Sequence, residues 1–80
     1  MKRRRYGFVE VHGSGFPLKT SEPFDARTDA VKEANRAYCR AVNTGGAAGV
    51  RFGTMDEESR VKGRLVMTKS ARKYPKGPFA

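Results

Sequence analysis

"TDAVKEANRAYCRAVN", residues 28 to 43, decides the fold. Ala30, Val31, Ala34, Ala37, Tyr38, Ala41 and Val42 recur at helical spacing and form one apolar stripe. Asp25 or Thr28 stands where a helix start is capped, and Asn43 to Gly46 supplies the stop. The stripe is mostly alanine, so this helix can lie close against a second layer. Lys32, Arg36 and Arg40 follow one another a turn apart on the other side, with Asp29 and Glu33 beside them. That ridge reads either as a solvated, salt-laced face or as a secondary basic surface. Cys39 falls on the polar side, away from the centre of the stripe.

The segments on either side alternate with a period of two, which is the pattern of strands. Over residues 5 to 11, Gly7, Val9 and Val11 share one face and Tyr6, Phe8 and Glu10 the other. "HGSG" at 12 to 15 makes a turn, and "FPLKT" at 16 to 20 a return strand. Pro17 has no N–H for a ladder and implies an edge or a bulge there. Beyond the helix, "AGVRFGT" at 48 to 54 turns Val50 and Phe52 inward and Arg51 and Gly53 outward. "MDEES" is a polar turn. "RVKGRLVMTK" at 60 to 69 sets Val61, Gly63, Leu65 and Met67 on one face, with Arg60, Lys62, Arg64, Val66 and Thr68 on the other.

The expected order is therefore β-β-α-β-β. It implies a single α+β domain over residues 1–70, with one helix packed on an antiparallel sheet of about four strands. Residues 71–80, "ARKYPKGPFA", hold two prolines and a glycine and offer little to bury, so they read as an extended or mobile basic tail. Eighty residues bury roughly 60% of the unfolded surface, leaving no room for a second domain or a deep cleft.

The chain carries 17 Lys and Arg against 8 Asp and Glu, a net charge of +9. Residues 2 to 5, "KRRR", hold +4 of it. Residues 60 to 80 add seven cations, Arg60, Lys62, Arg64, Lys69, Arg72, Lys73 and Lys76, and no acid. Between them, six basic and eight acidic residues leave the middle at −2. Basic character at the two ends points to a polyanionic partner or an acidic surface. The lone Cys39 permits no internal disulfide and fits a reducing, cytoplasmic setting. No apolar run approaches the ~20 residues of a membrane span.

The inventory argues against catalysis. Catalysis by a nucleophile needs a base in reach, and the one histidine, His12, sits in a glycine-rich turn. The carboxylates of "MDEES" follow one another in a turn and seldom converge on a cation. "GSG" and "TGG" lack the lysine and spacing of a phosphate cradle. The expectation is a non-enzymatic binding protein with no catalytic residues, no metal, no cofactor and no small-molecule substrate.

Residues 4 to 11, "RRYGFVEV", resemble the aromatic octapeptide of RNA-recognition domains at Arg4, Tyr6, Gly7, Phe8 and Val9, with Arg5 in place of the first glycine. Cold-shock domains carry a similar strand. In both families other strands precede the motif, whereas here it opens the chain, so the stretch is read on its own chemistry. If Val9 and Val11 face the helix, Tyr6 and Phe8 lie on the open sheet face, where they can stack bases or anchor an interface. In the other register they are core, the safer reading in a small domain with five phenylalanines.

In size, build and charge the chain resembles the small phage-borne inhibitors of the anti-CRISPR type. That resemblance implies a basic patch docking on a nucleic-acid-handling complex, such as a CRISPR surveillance complex, and obstructing target DNA. The alternative is direct, largely non-specific DNA or RNA binding. The expected contact residues are the same: Lys2, Arg3, Arg4, Arg5, Tyr6 and Phe8 at the start, then Arg51, Arg60, Lys62, Arg64, Lys69, Arg72 and Lys73. Lys32, Arg36 and Arg40 are the secondary set.

Overall fold

Four strands and one long helix follow in the order that the alternation and the stripe imply: β1 (Arg5–Val11), β2 (Pro17–Thr20), α1 (Arg27–Thr44), β3 (Gly49–Met55) and β4 (Val61–Met67). A 3-10 helix, Thr68–Lys73, comes after β4. The computed structural model describes residues 4–80, so Lys2 and Arg3 lie outside the described residues. The strands form one antiparallel sheet in the order β2-β1-β3-β4. Pro17 lies on the edge strand β2, and the register slips between Glu10 and Val11, as a proline without a ladder N–H requires.

The helix begins without the expected cap. Ala26 occupies the N-cap position and no side chain bonds the first turn, so neither Asp25 nor Thr28 serves. Gly45 ends it in the left-handed region, φ 69°, with its N–H donating to Ala41 O at 2.8 Å, a conformation that a residue without Cβ adopts at no steric cost. Ala30, Ala34, Ala37, Tyr38 and Ala41 are buried along the stripe, while Val42 is exposed.

Pairing across the sheet decides which face the helix covers. Phe8 stands opposite Phe52, and Phe52 opposite Arg64; Glu10 stands opposite Val50, and Val50 opposite Val66. Opposed residues share a face. The core joins Ala30, Ala34, Ala37 and Tyr38 of α1 to Val50, Phe52, Val66 and Phe79, with Tyr6 and Phe8 packed against it. Tyr6 and Phe8 thus take the core register, stacked for Phe8 on Phe24 at 6.3 Å, and the open-face register is excluded.

The same register corrects β4. Val61 and Leu65 were expected inside, with Lys62 and Arg64 facing away. Instead Lys62, Arg64 and Val66 share the helix side. Val66 is buried under α1, while Arg64 and Lys62 extend beyond it toward the open end of the sheet. Leu65 is 36% exposed on the other face.

Glycine explains the choice of face. Gly7, Gly53 and Gly63 stand opposite one another across three strands, on the side away from the helix. A Cβ on Gly53 would strike the Lys62 carbonyl oxygen, and one on Gly63 the Phe52 carbonyl oxygen, so β3 and β4 approach too closely there for any side chain. The Met55 side chain lies where a Cβ of Gly7 would go. The bulk that fills a core, Tyr6, Phe8 and Phe52, is left on the helix side.

The tail packs back onto this core through Ala71, Tyr74 and Phe79, contrary to the expectation of a mobile arm. Pro78 and Phe79 are buried. The Phe79 ring packs on Phe52 at 5.3 Å between centroids. Asn35 on α1 holds the Phe79 backbone at both ends, and Gly77 turns with φ 102° where a Cβ would collide with Asn35.

Candidate functional site

The acid-free stretch after the β3–β4 turn becomes a fixed wall. It runs up β4 at the sheet edge, through the 3-10 helix packed beside α1, and back across the end of β3. Lys62 and Arg64 lie on the strand; Lys69, Arg72 and Lys73 project, exposed, from the 3-10 helix; Lys76 is exposed beyond it. Arg64 ties strand to tail. Its Nη1 donates to Pro78 O at 3.2 Å and its Nη2 to the Tyr74 hydroxyl at 2.8 Å, with the guanidinium 5.4 Å from the Tyr74 ring centre.

Where the wall returns, it closes one side of an open groove of about 420 Å³. Tyr6, Phe52 and Thr54 come from the sheet, Lys62 and Arg64 from β4, Arg27 from the first turn of α1, and Pro78 and Phe79 from the tail. Arg27 lies over Phe52 at 5.5 Å. The charged side chains lining the groove are cationic, and Ala80, the last residue of the sequence, lines it as well. A neighbouring, wider cavity of about 860 Å³ shares Thr54 but mixes Arg4 and Arg5 with Asp25, Asp56 and Glu57. The side chains of the first cavity thus carry one sign of charge and those of the second carry both.

The structure breaks up the basic strand face expected from alternation. Arg51 pairs with Leu65 and so lies on the opposite face from Lys62 and Arg64; it reaches along that face to donate to Gly63 O at 2.9 Å. Arg60 precedes β4 and is spent in the turn. Its Nε donates to Asp56 Oδ2 at 3.0 Å, and its Nη2 pairs with Glu58 at 3.4 Å. Asp56 Oδ1 also accepts the Glu58 and Arg60 backbone N–H groups, each at 2.9 Å. The Arg60 N–H bond foremost, with the guanidinium and the Glu58 N–H in support, holds the Asp56 carboxyl below its ordinary value. Asp56, Glu58 and Arg60 thus bond one another within the turn.

Other expected residues divide cleanly. Lys32, Arg36 and Arg40 are exposed on the outer side of α1, and Arg36 leans on Glu33 at 3.3 Å. Arg4 and Arg5 are exposed. Phe8 packs against the core and offers no face for stacking, whereas Tyr6 reaches the groove. Cys39 is half-buried, beside Tyr38, Tyr74 and Pro75 where the tail meets α1. The Tyr38 hydroxyl donates to Met67 O at 3.0 Å; burial first, then the neighbouring Tyr74 and Cys39, raises its pKa.

Sequence reasoning missed Arg27, Asn35, Tyr74 and Phe79. Arg27 precedes the apolar stripe, and Asn35 reads as a routine polar helix residue. The single signal in the tail was an aromatic after "KGP", which has no place in a solvated arm.

No family model, curated protein or solved structure matches the chain. Among the described residues, no helix is long and apolar enough to cross a membrane.

Proposed function

We propose that this protein is a non-enzymatic binding domain whose ligand is the phosphate backbone of a nucleic acid, engaged in an intracellular, reducing setting. One observation carries the reading: the acid-free stretch from Lys62 to Lys76 is folded into a fixed cationic wall between sheet edge and helix. A flexible basic arm would lose backbone conformational entropy on binding, about 1–2 kcal/mol per residue fixed, which a backbone already in place does not lose again. Lys69, Arg72 and Lys73 add nothing to the core, so their density has its simplest reason in an anionic surface. Contacts of this kind position a backbone and carry little base sequence.

Charge reversal tests this. Lys69→Glu, Arg72→Glu and Lys73→Glu together touch exposed side chains and leave the packing intact. The melting temperature is expected to hold, while affinity for a random-sequence oligonucleotide at low salt falls by at least about tenfold. Unchanged affinity contradicts the reading.

A second reading gives the same wall a protein-borne partner, a phage inhibitor of the anti-CRISPR type on a nucleic-acid-handling complex. The observation in its favour is apolar: Phe16 is 70% exposed and Leu18 51%, both at the β1–β2 hairpin. Such side chains suit a protein surface better than a phosphate backbone. Binding to naked nucleic acid separates the two.

A further inference from the structure

The groove has a chemistry that surface charge alone does not require. Arg27, Lys62 and Arg64 reach it from two elements, and none of the three has a carboxylate partner among the described residues. Resting on the reading above, we propose that the groove is a subsite for one sugar–phosphate unit of a single-stranded nucleic acid.

Two of the cations are held in advance. Arg64 is fixed by the Pro78 carbonyl and the Tyr74 hydroxyl, both neutral acceptors, so its charge is undiminished and its remaining N–H groups stay open. Arg27 is held over the Phe52 ring. Planar guanidinium forks match phosphate oxygens two at a time. Lys62 and Arg64 are two residues apart on one face of β4, hence about 6.8 Å along the strand. That interval lets them follow successive phosphates of an extended strand.

The uncharged wall narrows the ligand further. Phe52, Pro78 and Phe79 give the groove an apolar wall for the face of a sugar, and Tyr6 lines it with a phenol that can bond a sugar oxygen. An acidic peptide needs the cations and has no use for this wall. A duplex, whose strands flank grooves roughly 6 to 12 Å wide, brings one backbone at most to a cavity this small.

The test uses the full chain, isotopically labelled, titrated with a twelve-nucleotide oligothymidylate, a twelve-base-pair duplex and hexaglutamate while backbone amides are followed by NMR. Shifts are expected at Gly53, Thr54, Lys62 and Arg64, largest with the single strand. Lys62→Gln, which removes an exposed side chain, should weaken the single strand by about tenfold. Arg27→Gln should do the same, with the chemical shifts of Ala34, Ala37 and Val66, core residues away from the guanidinium, unchanged. If the single strand binds while these amides stay silent and both variants bind like the parent, the subsite falls and the wider reading stands. If hexaglutamate gives the same shifts at equal affinity, the ligand class is wrong. If neither nucleic acid binds the parent protein, the wider reading falls and takes the subsite with it.

Discussion

The Asn35 carboxamide clasps the Phe79 backbone on both sides: its Nδ2 donates to Phe79 O at 2.9 Å, and its Oδ1 accepts from Phe79 N at 2.9 Å. A side chain on the helix thus completes the hydrogen bonding of a segment forty-four residues away, and Phe79 is left 7% exposed against Phe52. Asn35→Ala removes both bonds and leaves two partly buried backbone groups to find other partners. A loss of about 1 to 3 kcal/mol is expected in urea unfolding. Hydrogen exchange should rise through residues 74–80 more than in β1 or β3. A variant with parental stability and unchanged tail protection would show that the clasp is incidental.

Ala34 and Ala37 set how closely α1 approaches the sheet, being 0% and 1% exposed above Val50 and Phe52. Replacing either with leucine forces the layers apart. Destabilisation of about 1 to 3 kcal/mol is expected from overpacking, read as a lower urea midpoint at unchanged slope.

Alternation and periodicity gave this fold's elements to within a residue or two, because each is a local property of the chain. The facing of the strands is not local. Leu65 looks more like core than Lys62 and Arg64 do, yet the helix lies on the side of the latter pair, while Val9 and Val11 are buried on the other face. The deciding residues are Gly7, Gly53 and Gly63, whose row becomes visible only once the strands are paired. The site was half legible for the same reason. Lys69, Arg72 and Lys73 stand exposed as their charges required and Arg51 faces away from the helix as expected, while Lys62 and Arg64 left that face through one step of register and Arg60 through a turn bond. The groove draws on Arg27, Phe52 and Phe79, which no spacing in the sequence connects.

The turn makes a prediction about pH. Asp56 has its carboxyl pKa lowered from the ordinary 3.8, chiefly by the Arg60 N–H bond. A depressed folded-state pKa means that the unfolded chain takes up the proton first as pH falls. The contribution to stability is therefore complete above the ordinary value and is lost as pH drops through the folded one. Asp56→Asn keeps an acceptor but has no proton to gain. Between pH 5 and pH 2 the urea midpoint of the parent should fall more than that of the variant. Equal falls would mean that the turn does not hold the carboxylate in solution.

Phosphate binding by a rigid basic wall releases counterions, so salt dependence is its most direct test. Affinity for a random-sequence single strand and for a duplex is measured from 50 to 300 mM salt. Log affinity is expected to fall linearly with log salt, at about 0.7 per phosphate contact for the single strand. The slope should become shallower by about two to three contacts when Lys69, Arg72 and Lys73 are changed to alanine. Absence of binding at 50 mM salt, or an affinity indifferent to salt, would contradict it.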